Sequence, residues 1–246
     1  MTQKVIHFSE EDLNNLPEKK GFRLRGLKMT RLETFMDAAF AFATSMFVIS
    51  VWHIPKNYQE LMYAIKDIPS FICSFVIIML FWFGHRNWSR RYGLEDMKTI
   101  VISISIIFVL LVYIYPLRLM FSALFAIITS GWLPMHFTFE DAQTELTGLF
   151  IIYGIGIFCL AGLMALLYFR AKLAAILLKL NPLELLQTKS DIFSFIIVAA
   201  IGLISAIFSW LMPVKYALYA GFFYFALPVI LPISESCFKK KRKKIH

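Results

Sequence analysis

Long apolar stretches alternate with short polar connections along the chain. A transmembrane helix needs about 20 mostly apolar residues, and six stretches have this length and character. They cover residues 33–54, 68–85, 98–130, 146–169, 191–212 and 214–233. The pattern predicts an all-α membrane protein with six transmembrane helices, which would be a multi-pass protein of the cell membrane.

The basic residues predict how these helices are oriented. Lys and Arg concentrate before the first stretch, in the connections after the second and fourth stretches, and in the tail "KKKRKK". The connection after the third stretch, "GWLPMHFTFEDAQTEL", has acidic residues and no Lys or Arg. Because cytoplasmic loops are enriched in Lys and Arg, we expect both the N and C termini to be cytoplasmic, which agrees with an even number of spans.

These assignments divide the chain into three parts. We expect a cytoplasmic N-terminal segment over 1–30, a six-helix transmembrane domain over 31–236 and a basic cytoplasmic tail over 237–246. The amphipathic stretch "AKLAAILLKLNPLELL", residues 171–186, is interrupted by lysines, so we predict a separate helix at the cytoplasmic membrane interface. The basic tail could bind anionic lipid, or it could only orient and solubilise the chain.

Composition supports a membrane protein and narrows its function. The chain is 59% hydrophobic and 17% charged, with a mean hydropathy of +0.69, whereas soluble domains are about 45–50% apolar and about 25% charged. The net charge of +9 arises in the short polar segments, so we expect no nucleic-acid partner. Zinc-protease, nucleophile-elbow, P-loop and dinucleotide motifs are absent from the sequence, and its three cysteines are isolated. We therefore expect no enzyme activity, no metal site and no cofactor.

Three ionisable residues are expected to meet near the cytoplasmic ends of the first two spans. An ionisable side chain inside a span costs about 2.5–3.5 kcal/mol on insertion scales, so it usually has a partner or a function. Asp37 lies near the start of the first span, shortly after Arg31, and His85 ends the second span, which runs the other way. We predict a polar network of these three residues, with separate snorkelling of each as the alternative. Arg118, near the outer end of the third span, is predicted to snorkel to the outer interface.

One face of the first span carries small and polar side chains between its phenylalanines. Ala38, Phe42, Ser45 and Ile49 recur there at helical spacing, and Met46 borders this stripe. Small residues allow close helix packing in lipid, which favours a helix at the centre of a bundle. The other interpretation is a pore-lining helix with apolar constrictions and a hydroxyl group between them. Spacing alone does not decide between the two.

Three short motifs resemble one family of membrane proteins. The stretch "RLETFMD", with Arg31, Phe35 and Asp37, is close to the R-x-x-x-F-S-D signature of the transmembrane protein 175 family of potassium channels. The stretch "FWFGHRNW" resembles the end of that family's second helix, with Trp82 and His85 in the expected places. The stretch "YIYPLR" resembles the end of the third helix. The six-span layout also matches, so the resemblance covers nearly the whole chain and makes 31–236 a channel domain.

The resemblance implies a homotetrameric, potassium-preferring cation channel in which the first helix lines the central pore. Potassium would be the permeant ion, and no cofactor is implied. Such channels lack the TVGYG filter of ordinary potassium channels, and this sequence lacks it too. By position, Phe42, Met46 and Ile49 would form an apolar constriction. Ser45 would take the place of a threonine that is linked to potassium selectivity.

The resemblance also implies a polar network behind the pore, with structural and gating roles. Its members would be Arg31, Asp37 and His85, and Phe35 and Trp82 would support them. These are the same three polar residues that the membrane-depth argument brings together.

Three departures from the family pattern keep alternatives open. Met36 replaces the serine of the signature, Phe42 stands where the family has isoleucine or leucine, and Met46 stands where leucine is usual. Four phenylalanines around one axis would make a bulkier ring, which could lower conductance or potassium selectivity. One alternative is therefore a non-conducting structural membrane protein of the same fold. The other is a secondary transporter of a small solute, although transporters usually show internal repeats and broken helices.

Overall fold

The structure is a computed structural model, and it describes residues 10–49, 56–135 and 141–242. The first elements are the short helix α1 (Glu10–Asn14) and an antiparallel hairpin of β1 (Glu18–Lys19) and β2 (Phe22–Arg23). The later α-helices are α2 (Arg31–Ile49), α3 (Tyr58–Lys66), α4 (Ile68–Tyr92), α5 (Met97–Ile128), α6 (Ala142–Leu173), α7 (Pro182–Leu211) and α8 (Leu227–Arg242). A 3-10 helix, Val214–Ala226, joins α7 to α8.

Five segments of the described chain are long and apolar enough to cross a membrane. They are Ile68–Tyr92, Met97–Ile128, Thr144–Leu173, Pro182–Leu211 and Tyr219–Arg242. These segments correspond to the second through sixth predicted spans. The first predicted span corresponds to α2, and its continuation over 50–54 lies outside the described residues. The all-helical membrane architecture is thus confirmed, and the count of six spans and their orientation stay predictions.

The core lies where α2, α4, α5 and α6 pack together. Trp88, Leu110, Ile114 and Leu160 are among its largest fully buried side chains. The polar edge of Trp88 is also satisfied, because its indole Nε1 donates a hydrogen bond to the Leu167 carbonyl at 3.0 Å. Buried polar atoms cost little only when they are paired in this way. The core therefore fixes α4 against α6 by both apolar contact and hydrogen bonding.

The pair α6 and α7 is held by close approach of small residues. A Cβ atom added at Gly154 would lie 2.5 Å from the Gly202 carbonyl oxygen and 2.9 Å from the Ala206 Cβ. Helices in lipid associate through such small-residue contacts, because hydrophobic burial alone gives no advantage over lipid. The two helices consequently form a tightly packed pair beside the rest of the bundle.

The connection between α6 and α7 differs from the sequence-based prediction. The separate interfacial helix predicted over 171–186 is wrong, since α6 continues to Leu173 and α7 already begins at Pro182. Asn181 Oδ1 accepts a hydrogen bond from the Glu184 N–H at 2.7 Å, and Glu184 Oε2 accepts one from the Asn181 N–H at 2.9 Å. This reciprocal capping box satisfies main-chain donors at the helix start, and proline is favoured at the first helical position. The motif "NPLE" therefore starts a spanning helix.

The segment before α8 is unusual in its geometry. It has thirteen residues in 3-10 conformation, although 3-10 runs longer than about four residues are uncommon. Side chains at i and i+3 eclipse in this geometry. The exposed edge accordingly carries a row of tilted rings whose neighbouring centroids are 6.0 Å apart, formed by Tyr216, Tyr219, Phe222 and Phe225. The three-residue period of the aromatic positions matches the 3-10 helix.

Arg118 is buried in the bundle instead of extending outward from it. It is buried in α5 and forms an ion pair with Asp67, the residue that precedes α4. The guanidinium also lies over the Phe71 ring, 5.9 Å from its centroid, which is within cation–π distance. The prediction that Arg118 snorkels outward is wrong, because a carboxylate inside the bundle pairs with it.

Candidate functional site

The start of α2 is determined by its local sequence and by α4. Thr30 Oγ1 accepts a hydrogen bond from the Glu33 N–H at 3.1 Å, which is the usual role of a threonine at a helix N-terminus. Glu33 lies in the first turn, where the helix dipole favours a carboxylate. Its buried carboxylate also faces α4, with 3.7 Å between Glu33 Oε1 and Arg90 Nε. The first turn of α2 therefore lies beside the last turns of α4.

Helix α2 has one covered face and one uncovered face. Met36, Phe40 and Ala43 are fully buried and belong to the hydrophobic core. Met36, the residue that replaces the serine of the family signature, is thus a core side chain. The opposite face is exposed in the single chain and carries Ala38, Ala41, Phe42 and Ser45. The stripe predicted from helical spacing is therefore the uncovered face, over the part of it that the structure describes.

The four predicted pore residues differ in exposure. Phe42 is 56% exposed, and Ser45 is also exposed and donates a hydrogen bond from its Oγ to the Ala41 carbonyl at 3.0 Å. Met46 is half-buried and packs against the core. Ile49 ends α2, and its side chain lies outside the described residues. Phe42 and Ser45 are thus the two predicted pore residues that point away from the rest of their own chain.

The members of the predicted polar network, Arg31, Asp37 and His85, have different partners in the structure. Trp82 Nε1 donates a hydrogen bond to Asp37 Oδ1 at 2.8 Å, which ties α2 to α4. His85 is buried, and its Nε2 lies 3.2 Å from Ser103 Oγ on α5. Arg31 is exposed, and within the described ranges no hydrogen bond or ion pair joins it to Asp37 or His85. In one chain, Asp37 and His85 therefore bind different neighbours, and the three-residue network stays a prediction.

The supporting residues also occupy different positions. Phe35 is 55% exposed on α2 and contributes to the same uncovered side as Phe42. Trp82 is half-buried, and the Arg86 guanidinium lies over its ring at 5.3 Å. A cation over an indole face is attracted by the ring quadrupole. In the described part of the chain, Arg86 rather than Arg31 contacts the Trp82 ring.

Sequence reasoning missed Ser103 and Arg86, which contact His85 and Trp82 respectively. Ser103 stands four residues after Thr99 in α5, and both side chains are fully buried. Polar residues at a four-residue interval share one helix face, and hydroxyl groups in spans often bond to a neighbouring helix. That interval was a usable signal for Ser103. Arg86 stands four residues after Trp82 on α4, so the same interval was a usable signal for the contact between its guanidinium and the indole ring.

The side chains on the uncovered face of α2 suit ion permeation better than catalysis. A serine hydroxyl has one donor hydrogen and two acceptor lone pairs. Ser45 gives its hydrogen to Ala41 and keeps lone pairs that a cation can contact. One helical turn away, the Phe42 ring offers a wide apolar surface, and apolar constrictions can gate a pore by dewetting. The uncovered face of α2 thus combines a hydroxyl oxygen with a large apolar ring.

Three matches connect the chain to known proteins. The family model described as endosomal/lysosomal potassium channel TMEM175 matches residues 31–116. A curated potassium channel of Marivirga tractuosa is 31% identical over 236 residues, which cover 92% of this chain and 94% of that protein. The crystal structure of a variant of the potassium channel MtTMEM175, in complex with a nanobody–MBP fusion protein, matches with a TM-score of 0.78 and 30% identity, covering 92% of this chain and 100% of that chain. The family match includes α2, α4 and most of α5, which carry the candidate site.

Proposed function

The chain belongs to the TMEM175 family of potassium channels and is a multi-pass membrane protein, and we propose that it conducts potassium as a homotetramer with α2 lining a central pore. The uncovered face of α2 is the observation that carries this proposal. It presents Phe42 and Ser45 away from the rest of the chain, while Met36 and Phe40 attach the helix to the core. Four copies of this face around one axis would enclose a pathway.

The narrowest part of this pathway is proposed to be a ring of four Phe42 side chains. Met46 and Ile49 would continue the apolar constriction on the outer side of that ring. Ser45 would supply a ring of hydroxyl oxygens, which can replace part of the hydration shell of an ion. Met46 packs against the core in the single chain, so its contribution to the constriction would be smaller than that of Phe42.

The proposed orientation places both termini in the cytoplasm. The basic residues at the end of α8, Lys239, Lys240, Lys241 and Arg242, would then face the inner leaflet. Basic residues near an anionic membrane surface contribute about 1 kcal/mol each to binding. Anionic lipid is therefore the proposed partner of this end of the chain.

A potassium flux assay with purified protein in liposomes tests the proposed pore. Phe42→Ala removes the ring side chain, and we expect potassium flux to increase relative to the wild type because the constriction widens. Phe108→Ala is the matched control, since Phe108 is 69% exposed on α5 and lies outside the proposed pathway. This control should leave flux unchanged.

Two results would contradict the pore assignment. One is equal flux from Phe42→Ala, Phe108→Ala and the wild type. The other is no flux from any of them while the tetramer is intact, which would favour the non-conducting structural protein. The family match itself favours a channel over a secondary transporter, since the matched proteins are named as potassium channels.

A further inference from the structure

A buried ion-pair cluster joins the segment before α2 to the start of α7. The Glu184 carboxylate accepts hydrogen bonds from Arg25 Nη1 at 3.0 Å and Arg25 Nη2 at 2.8 Å. It also accepts one from the Arg23 main-chain N–H at 2.9 Å. The side chains of Arg25 and Glu184 are both 0% exposed. Such a pair needs nearly ideal geometry and full hydrogen bonding to offset the loss of water.

Arg25 meets that requirement with its whole guanidinium group. Besides its two bonds to Glu184, its Nε donates to the Leu178 carbonyl at 2.9 Å and its Nη2 to the Lys179 carbonyl at 3.4 Å. Its Nη1 also donates to the Arg23 carbonyl at 3.0 Å. Guanidinium has five N–H donors in a planar fork, whereas a lysine ammonium has three on one atom. The site is therefore specific for arginine.

The same segment also forms hydrogen bonds with the last carbonyl groups of α4. The Arg25 N–H donates to the Arg91 carbonyl at 3.4 Å, and the Gly26 N–H donates to the Arg90 carbonyl at 3.1 Å. The last carbonyls of a helix have no partners inside that helix, so these bonds satisfy them. A Cβ atom at Gly26 would lie 2.2 Å from the Ser89 carbonyl oxygen. Only glycine allows the segment to approach α4 so closely.

An aromatic contact adds to the anchorage. The Phe22 ring is fully buried and meets the Tyr92 ring edge-on, with 5.5 Å between centroids. The guanidinium of Arg91 lies 5.0 Å from the Phe22 centroid, and that of Arg25 lies 5.8 Å from it. We call residues 22–26, with Glu184, the N-terminal anchor.

The N-terminal anchor lies close to α2 along the chain. Residues 27–30 are all that separates Gly26 from Arg31, the first residue of α2. The five Cα–Cα steps from Gly26 to Arg31 extend at most about 18 Å. The start of α2 is thus confined within a short distance of a point that is fixed on both α4 and α7.

We propose that Glu184 is a positioning residue for the pore helix: through Arg25 it fixes the inner end of α2 and thereby sets how much potassium the channel passes. Its effect on conduction rests on the function proposed above, and its effect on the position of α2 does not. The anchor connects α2 to α7, which otherwise packs mainly against α6. Movement of the α6–α7 pair would be transmitted to the pore helix through it.

Glu184→Gln tests this role selectively. Glutamine at this position of a capping box still accepts and returns the capping bonds, so the start of α7 should stay intact while the charge that holds Arg25 is lost. We expect amide hydrogen exchange to accelerate at least tenfold over residues 22–36, and potassium flux to change at least threefold. Glu235→Gln is the matched control, because Glu235 forms an exposed ion pair with Lys239 and should change neither quantity.

Gly26→Ala disturbs the N-terminal anchor sterically instead of electrostatically. It keeps every charge but forces the segment away from α4, so it should reproduce both the faster exchange and the altered flux. Arg25→Lys keeps the charge and loses the fork, and it should give an intermediate result. Agreement among these variants with an intact tetramer would support the proposal.

Other outcomes would overturn it in distinguishable ways. Unchanged exchange over residues 22–36 in Glu184→Gln and Gly26→Ala would show that the cluster does not position α2. Faster exchange with unchanged flux in a conducting protein would show an anchor without influence on the pore. A wild-type protein that passes no potassium would instead remove the proposed function, and the exchange result would still decide whether Glu184 positions α2.

Discussion

The two ends of the helix bundle are held together in different ways. At the predicted inner end, several ion pairs join distant elements: Arg23 and Arg25 with Glu184, Arg90 with Glu33, Arg91 with Asp191, and Arg170 with Asp96. At the predicted outer end, Arg118 pairs with Asp67, and their side chains are 3% and 0% exposed. Partly exposed ion pairs contribute little one by one, whereas breaking a buried pair is costly. The comparison indicates that the partly exposed pairs of the inner end can be altered at small cost, whereas the buried pairs Arg25–Glu184 and Arg118–Asp67 cannot.

The strongest test of this difference is the same substitution at each end. Arg118→Met leaves the Asp67 carboxylate in a buried site without its guanidinium partner, and we expect a loss of about 3–5 kcal/mol in stability. Arg170→Met removes an arginine whose side chain is 26% exposed, and we expect a loss of about 1 kcal/mol or less. Thermal unfolding of the purified protein in mild detergent measures both. Equal losses would show that burial does not decide how much these two ion pairs contribute to stability.

A smaller effect is expected between the ends, at the contact of α2 with α4. Trp82→Phe removes the hydrogen bond to Asp37 and leaves a half-buried carboxylate with one fewer donor, which we expect to cost about 1–3 kcal/mol. Trp210→Phe is a suitable control, because Trp210 is 75% exposed on α7. The same unfolding measurement applies. Equal melting temperatures for the two variants would show that the hydrogen bond between Trp82 and Asp37 does not stabilise the fold.

Asp37→Asn complements that experiment by testing charge alone. Asparagine still offers a carbonyl oxygen to Trp82, so any effect comes from the lost negative charge. We expect a lower yield of intact tetramer in mild detergent, measured by size-exclusion chromatography. Unchanged assembly together with unchanged currents would rule out a role for the Asp37 charge.

The smallest effect is a pH dependence at the inner end. Burial raises the pKa of Asp96, but hydrogen bonds from Thr99 and Arg170 outweigh it and hold that pKa below its usual value. A carboxyl group with a lowered pKa stabilises the fold above its unfolded pKa of about 3.9, and this stability is lost as the pH falls through the folded pKa. The stability difference between the wild type and Arg170→Met should therefore shrink as the pH falls below about 4. A pH-independent difference would assign the effect of Arg170 to packing.

The sequence predicted the spans better than it predicted the helices. The second span was placed over 68–85, and α4 does begin at Ile68 but continues to Tyr92. Hydropathy marks where apolar residues end, and polar residues such as Arg86 remain helical. The helix ends at Gly93, which has a φ of +59° and whose N–H bonds to the Ser89 carbonyl at 2.9 Å. Glycine in this left-handed conformation is a common helix terminator and was a better signal than polarity.

Side-chain partners could be predicted only where depth or family motif restricted them. Asp37 and Trp82 were expected to be close, and they share a hydrogen bond. The pairing of Arg25 with Glu184 joins residues 159 positions apart, and no local pattern indicates such a contact. The N-terminal segment was accordingly predicted only as cytoplasmic chain, although it contains the residues that attach α2 to α7.

The 3-10 geometry of the segment before α8 affects the length of that segment. A 3-10 helix rises about 2.0 Å per residue and an α-helix about 1.5 Å, so the thirteen residues Val214–Ala226 reach about 26 Å instead of about 20 Å. In α geometry, residues three apart are displaced by about 60° around the axis. The four rings would then wind halfway around the helix instead of lying along one edge. The 3-10 geometry therefore makes this segment about 6 Å longer than an α-helix of the same residues, and a change to α geometry would move α8 and its terminal lysines by that distance along the helix axis.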